Sequence, residues 1–351
     1  MTLPKQLRGD RPPFMADLTQ WFGWHRRAGT LPAKWAGAGL AEISRTVGSV
    51  PWLVCRPWRS AMPGVEVVTV ERAGERETRV LTSRGTLISR WSLGPDGDWW
   101  QVAYPATAAE QLPAALEAIR ARTYEMDTTR LEELRPAAGE DGILALELPR
   151  RPYSDLFHDY LGWSEGLMLL YEQGEIIQEM LGLLEAKLQA LAEQVAALPA
   201  QVVLAPDNLD GQFTSPRAFR QYLSASYRRT ADILHQHGKQ LWVHVGGPAG
   251  RLVGPLAEAG VDAVEGVAGP PQGDLTLDET RKVAGRDLIL WGGIPQDALL
   301  DTLDQAAFEA AVAEAVEGAR DDPAAIIGVA DRVPVQADLG RLEALAALIR
   351  S

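Results

Sequence analysis

Short apolar runs alternate with longer amphipathic stretches along this chain, most regularly after Gly142. Runs of four to six apolar residues, closed by Gly, Pro, Asp or Asn, read as buried strands. They fall near 143–148, 202–205, 241–245, 261–265, 287–291 and 325–329. Two weaker runs, near 13–16 and 51–55, bring the expected strands to eight. Helices separate them. Ser215 is a candidate N-cap, with Pro216 in the first turn where its missing N–H is harmless. Gly238 is placed to end that helix in a left-handed cap. Thr276 and Glu279 form a capping-box pair. From Trp163 to Leu198 the chain is helical, with a break at Gly174. There Ile177, Met180, Leu181, Leu184, Leu188, Leu191, Val195 and Leu198 recur at spacings of three and four, the signature of a packing face.

Before Gly142 the rhythm changes. Residues 65–93 hold three β-rich runs with Ala73-Gly74 and Arg84-Gly85 at or near the gaps, which predicts a β-meander. Pro105–Arg122 reads as an amphipathic helix. Strands alternating with helices imply right-handed crossovers and a parallel sheet. Eight such units predict a (β/α)8 TIM barrel over residues 1–351, a single domain with the 65–93 meander inserted in it. An open doubly wound sheet is the alternative, and the two weak early strands decide between them.

Composition narrows the function classes. The 351 residues carry 46% hydrophobic and 23% charged residues, the balance of a globular chain. A formal net charge of −13 argues against a nucleic-acid surface, which needs clustered cations. One cysteine, Cys55, excludes an intrachain disulfide and any multi-cysteine zinc cluster. Met1–Arg11 is polar and carries a proline, unlike a signal peptide, and no apolar stretch is long enough to span a bilayer. The expectation is a cytoplasmic protein.

In a barrel of this kind, residues at the C-terminal strand ends line the site. That rule nominates Glu147, Asp207, Asn208, His244, Glu265, Gly292, Gly293 and Asp331. His244 closes the apolar strand Gln240–Val245 and is the candidate general acid/base, with Glu265 and Asp331 as catalytic carboxylates. A buried core histidine and structural ion pairs are the plain alternatives for these three. Together they would also suit a catalytic divalent metal, with zinc the first candidate. Arg26 and Arg56 are candidates for holding anionic substrate groups, since guanidinium binds carboxylate in a bidentate way; surface ion pairs would explain them equally. Asp207 and Asn208 can be turn or cap residues instead. Gly292-Gly293 would let a ligand or loop approach the backbone closely. His235 and His237 end a helix, where a cation suits the dipole. Trp21, Trp24, Trp35, Trp52 and Trp58 crowd the first sixty residues and read as core or interface. No glycine-rich nucleotide-binding fingerprint is present.

Five stretches resemble the uroporphyrinogen decarboxylase-like superfamily: Asp10-Arg-Pro-Pro-Phe14, His235–Gly247, Glu258–Glu265, Trp291–Ile294 and Ile327–Pro334. The resemblance implies a (β/α)8 barrel and, for its members, either porphyrinogen decarboxylation or methyl transfer between corrinoid proteins and thiols. Arg26-Arg27-Ala28-Gly29-Thr30-Leu31-Pro32 is similar to the decarboxylase's arginine motif but one residue shorter. The decarboxylase's Phe-Ser-Asp segment has no counterpart near Cys55-Arg56-Pro57-Trp58, and Ala330-Asp331 lacks its late histidine. The methyltransferases hold zinc with a His-x-Cys pair and a later Cys. His244 matches the histidine, while Gly246 and Ala330 stand where cysteines would. The resemblance therefore implies an enzyme of methyl transfer, with a corrinoid protein or a methylated small molecule as partner and a homodimer as the assembly. Decarboxylation of an anionic, tetrapyrrole-like substrate is the second reading. A non-catalytic ligand-binding barrel is the third.

Overall fold

A computed structural model describes residues 2–351. The chain divides into two compact units. One comprises 1–56, 129–147 and 196–351; the other comprises 57–128 and 148–195.

The first unit is built on a seven-stranded parallel sheet. Its strands, in chain order, are β1 (Trp52–Cys55), β2 (Ile143–Glu147), β3 (Val202–Leu209), β4 (Gln240–Val245), β5 (Ala263–Val267), β6 (Ile289–Pro295) and β7 (Ala325–Ala330). Each pairs with its sequence neighbour, the order of a wound barrel. The eighth position belongs to the segment around Phe14. Phe14 forms a parallel bridge with Ile327 of β7, and its carbonyl accepts from Val50 N–H at 2.9 Å, just ahead of β1. The N-terminal run thus lies between the last strand and the first, and the sheet closes as a TIM barrel. It is too short to read as a regular strand, which is why its sequence signal was weak.

Side-chain alternation fills the barrel. Trp52, Trp242 and Trp291 point inward and are almost fully buried. The Trp52 and Trp242 rings stack with centroids 5.6 Å apart, and Trp291 meets Trp52 edge-on at 4.8 Å. Such a plug buries a large apolar area and sets a floor beneath the C-terminal mouth. Trp291 also donates its indole N–H to Met15 O at 2.7 Å, which ties the N-terminal segment to β6. Caps match the sequence: Ser215 accepts from Ala218 N, and Thr276 and Glu279 form the capping box of Leu277–Ala284.

The second unit carries a four-stranded antiparallel sheet of Glu66–Arg72, Glu75–Thr82, Gly85–Leu93 and Trp99–Ala103. The meander is therefore one strand longer than its pattern suggests, because Trp99–Ala103 joins it beyond a turn at Gly94–Asp98. Trp58–Ala61 pairs antiparallel with Thr123–Met126 as a separate two-stranded ribbon. The helices Leu112–Ala121 and Gly174–Ala196 pack in one apolar cluster that includes Ile119, Ile177, Met180 and Leu184. The leucine and methionine stripe is thus packing. No helix among the described residues is long and apolar enough to cross a membrane.

Candidate functional site

The mouth of the barrel unit holds one cluster of ionisable side chains, and strand parity places them there. Trp242 faces the barrel interior, so His244, two residues further along β4, faces the same way one layer higher. Ala263 of β5 is likewise interior, and Glu265 follows it by two. His244 and Glu265 are Cα partners across the β4–β5 ladder. Both lie at irregularities: the β3–β4 register shifts between Val243 and Val245, and the β5–β6 register shifts between Glu265 and Val267. Bulges at a strand end re-aim side chains, and they recur beside active sites. Gly266 permits the second one, with φ 97° and no room for a Cβ, which would lie 2.2 Å from Val245 O.

His244 Nδ1 is hydrogen-bonded to Glu265 Oε2. Its Nε2 faces Asp331 Oδ1 at 3.6 Å. The imidazole is thus flanked by two carboxylates, with side-chain exposure of 18% for His244 and 9% for Glu265. Burial opposes the imidazolium, but the charges of Glu265 and Asp331 outweigh it and raise the His244 pKa to about 9. Burial pushes the Glu265 carboxyl up to about 7. The attraction of His244 opposes that rise, and repulsion from Asp331 and Asp17 adds to it. Both groups are thus raised above their ordinary values by one shared, buried environment, and such perturbed pairs are candidates for proton transfer.

Asp17 completes the cluster, and the sequence reading missed it. It follows the Phe14 segment, and its Oδ1 accepts from the backbone N–H and the hydroxyl of Thr19 at 2.8 and 2.6 Å. Burial raises its pKa, the Thr19 hydrogen bonds oppose the rise, and Asp331 adds repulsion. Its signal was its place at the C-terminal end of the faintest strand. Asp331 stands just past β7 with φ 62°, and Asn208 on β3 has φ 51°. Left-handed backbone costs non-glycine residues about 1 kcal/mol or more, least for Asn and Asp, and strain of this kind gathers at functional sites. Arg332 Nε lies 3.4 Å from Asp331 Oδ1.

The remaining candidates separate. Arg56 and Glu147 face each other from the ends of β1 and β2, joined by an ion pair with Arg56 Nε to Glu147 Oε1 at 2.9 Å. Asp207 turns the other way: the parity that sends Val202 and Leu204 inward sends it outward, where the Tyr227 hydroxyl donates to it at 2.5 Å. It is fully buried against the helix Ser224–Gln236. Asn208 is exposed, and its Oδ1 would lie 1.6 Å from a Cβ at residue 246. Arg26 is exposed in the last turn of Thr19–Ala28, 5.8 Å over the Phe22 ring. Gly292 and Gly293 make room for the protein itself. A Cβ at Gly292 would meet Val267 O at 2.1 Å, and one at Gly293 would meet Leu277 and Ala315. Cys55 is buried in β1, and His235 pairs with Asp262 at 2.9 Å.

A zinc site of the His-x-Cys kind does not fit these residues. Gly246 has no thiol and no space for one beside Asn208, and Ala330 is apolar. Glu265 and Asp331 lie on opposite edges of the imidazole, one against each nitrogen, instead of converging with it on a common point. Among the described residues no group of three or more His, Cys, Asp and Glu is placed to hold a metal ion.

Comparison with known proteins gives a likeness of fold. No protein-family model matches the chain, and no curated protein does. A solved methyltransferase from Methanosarcina mazei superposes with a TM-score of 0.61 at 16% identity, over 98% of this chain and 94% of that one. A D-psicose 3-epimerase solved in the presence of D-fructose superposes with a TM-score of 0.40 at 13% identity, over 67% of this chain and 84% of that one. The D-psicose 3-epimerase from Clostridium cellulolyticum H10, solved with D-tagatose, gives 0.36 at 12% identity, over 63% and 81%. The full-length match, to the methyltransferase, shares the barrel architecture of this chain.

Proposed function

We propose that the protein is an enzyme of the uroporphyrinogen decarboxylase-like superfamily that transfers a methyl group, with a corrinoid protein or a methylated small molecule as donor. The observation that carries this reading is the buried His244–Glu265 pair at the barrel mouth, flanked by Asp331. Methyl transfer to a protonated nucleophile forms one bond from the acceptor to carbon and breaks the bond from carbon to the donor, whose electron pair stays behind. The acceptor's proton must leave as its lone pair is committed. Ionised Glu265 receives that proton, its charge held until then by the hydrogen-bonded imidazolium of His244. Because both carboxylates bear on His244, the pair serves as a proton acceptor without a metal ligand role. Full-length likeness to a methyltransferase fold supports the same reading. The decarboxylase reading is less well served, because Arg56, one of its two candidate carboxylate anchors beside Arg26, is already engaged by Glu147.

The test is a transfer assay with methylcobalamin as donor and thiols, amines and hydroxy compounds as acceptors, followed by loss of the methyl–cobalt absorbance. Turnover is expected in the wild type, with a fall of about 10²-fold or more in His244→Ala and Glu265→Gln. Turnover unchanged in both variants would remove the pair from the reaction. Absence of transfer to every acceptor, with carbon dioxide released from a porphyrinogen carboxylate, would replace the reading with decarboxylation.

A further inference from the structure

The strand Glu66–Arg72 is one edge of the four-stranded sheet, and all seven of its residues are exposed. Three are valines, with Val67 at 47% and Val70 at 46%. The opposite edge, Trp99–Ala103, is tied down by Gln101, which donates to Asp159 O at 3.3 Å. Proteins blunt open edges with charged side chains, lysine above all, or with proline, bulges or a covering segment. Glu66–Arg72 contains neither lysine nor proline, and it pairs with Glu75–Thr82 without a register shift. It is an unbulged, exposed edge in which three valines and Thr69 are bracketed by Glu66, Glu71 and Arg72.

The phase of its hydrogen bonds follows from the turn. Arg72 and Glu75 flank a two-residue loop, Ala73-Gly74, with positive φ at both positions. In such a hairpin the flanking residues are a hydrogen-bonded pair, and bonded and non-bonded pairs then alternate. Glu66, Val68 and Val70 therefore direct their N–H and C=O groups into the hairpin, while Val67, Thr69 and Glu71 direct theirs to the open edge. The Thr69 and Thr78 hydroxyls sit 2.9 Å apart, as suits the closer side chains of a non-bonded pair. An antiparallel copy of the strand centred on Thr69 would place Thr69 against Thr69 and Val67 against Glu71, with backbone bonds from both. The same register places Val68 against Val70 and Glu66 against Arg72, at both ends. Within the chain Glu71 pairs with Arg76, and Glu77 with Arg79 and Arg90. Neither Glu66 nor Arg72 has an ion-pair partner among the described residues.

We infer that Glu66–Arg72 is a dimerisation strand: a second copy of this chain adds antiparallel to it about a two-fold axis at Thr69, joining two four-stranded sheets into one. The register is self-complementary in charge only when fully overlapped, since sliding by one residue separates Glu66 from Arg72. An edge that pairs with itself is an isologous contact, so it closes at two copies and does not grow into a filament. Val68 and Val70 line a groove of about 490 Å³ on this sheet, and the symmetric copy extends that valine row across the axis.

Sedimentation velocity over a concentration series tests this on the full chain. The wild type is expected to dimerise. Arg72→Glu opposes like charges at both ends and should raise the dimer dissociation constant about tenfold or more. The double variant Glu66→Arg/Arg72→Glu should recover wild-type association, because the register reunites the swapped charges. Thr69→Pro removes an outward N–H, a loss edge strands tolerate, and should leave a folded monomer by circular dichroism. A monomer at every concentration overturns the inference. So does a dimer indifferent to Arg72→Glu, or a double variant that stays weakened.

Discussion

His244 and Glu265 are register partners on neighbouring parallel strands, and their side chains meet as a buried hydrogen-bonded ion pair. Two features of the backbone produce the contact. Parity points both residues into the barrel, and the bulge at Gly266 turns the end of β5. The pair lies above three buried tryptophans and is itself little exposed, so its charges are weakly screened.

The first prediction concerns the proton on His244. Glu265 and Asp331 hold its pKa at about 9 against burial. In Glu265→Gln the carboxylate with the stronger hold on His244 is gone while the burial remains. The midpoint of the His244 ring proton, followed by NMR, should fall by about one to two pH units. A midpoint still near that of the wild type would mean that Asp331 or another group, and not Glu265, sets the imidazole charge.

Stability should carry the same signature. Both folded-state values lie above the unfolded ones, with Glu265 raised from 4.5 to about 7 and His244 from 6.5 to about 9. Over that window the folded chain binds more protons than the unfolded chain, so stability falls as pH rises. The Glu265 contribution is complete below its unfolded pKa of 4.5 and is lost through about 7. That of His244 is complete below 6.5 and is lost through about 9. Urea unfolding of wild type and of the double variant His244→Gln/Glu265→Gln, at several pH values, should show the wild type losing ground steadily between these limits. A constant difference would refute the assignment.

Tyr227→Phe asks whether Asp207 serves the fold or the site. The carboxylate is fully buried and takes the Tyr227 hydroxyl as a donor. Losing that donor should cost about 1–3 kcal/mol of stability. Turnover in the transfer assay should stay within a few-fold of wild type, because Asp207 faces the helix layer. A loss of activity at unchanged stability would bring Asp207 back to the reaction.

Much of this site could be read from residue order, because a barrel puts strand ends in one place. His244, Glu265 and Asp331 were nominated by position and do come together. What position could not say was which way each strand-end residue points. Asp207 and Asn208 are adjacent, yet one joins the helix layer and the other the exposed end of β3. Counting parity from Val202 and Leu204 separates them, and the same count applied to Glu147 and Arg56 puts both inward, where they pair. Asp17 was hidden because the Phe14 segment makes one bridge and little apolar pattern. Gly292 and Gly293 looked like an approach for a ligand, but glycine reports only that something is close. Here it is Val267 and the helices Leu277–Ala284 and Gln305–Ala319.

Gly246 and Asn208 provide the last prediction, on why the thiol site of the resembled methyltransferases is not carried here. A Cβ at Gly246 would lie 1.6 Å from Asn208 Oδ1, so a thiol there requires Asn208 to leave. Gly246→Cys alone should destabilise the protein by about 1–3 kcal/mol, the range for forced overpacking. Asn208→Gly should be neutral or stabilising, since it removes a side chain from a left-handed position at φ 51°. The double variant should then recover most of the loss, with a coupling of about 1 kcal/mol or more in a cycle of urea unfolding curves. Additive effects would mean that Asn208 swings aside at no cost and that the two positions are independent. A measured coupling would make Asn208 the side chain that occupies the volume a thiol at position 246 needs.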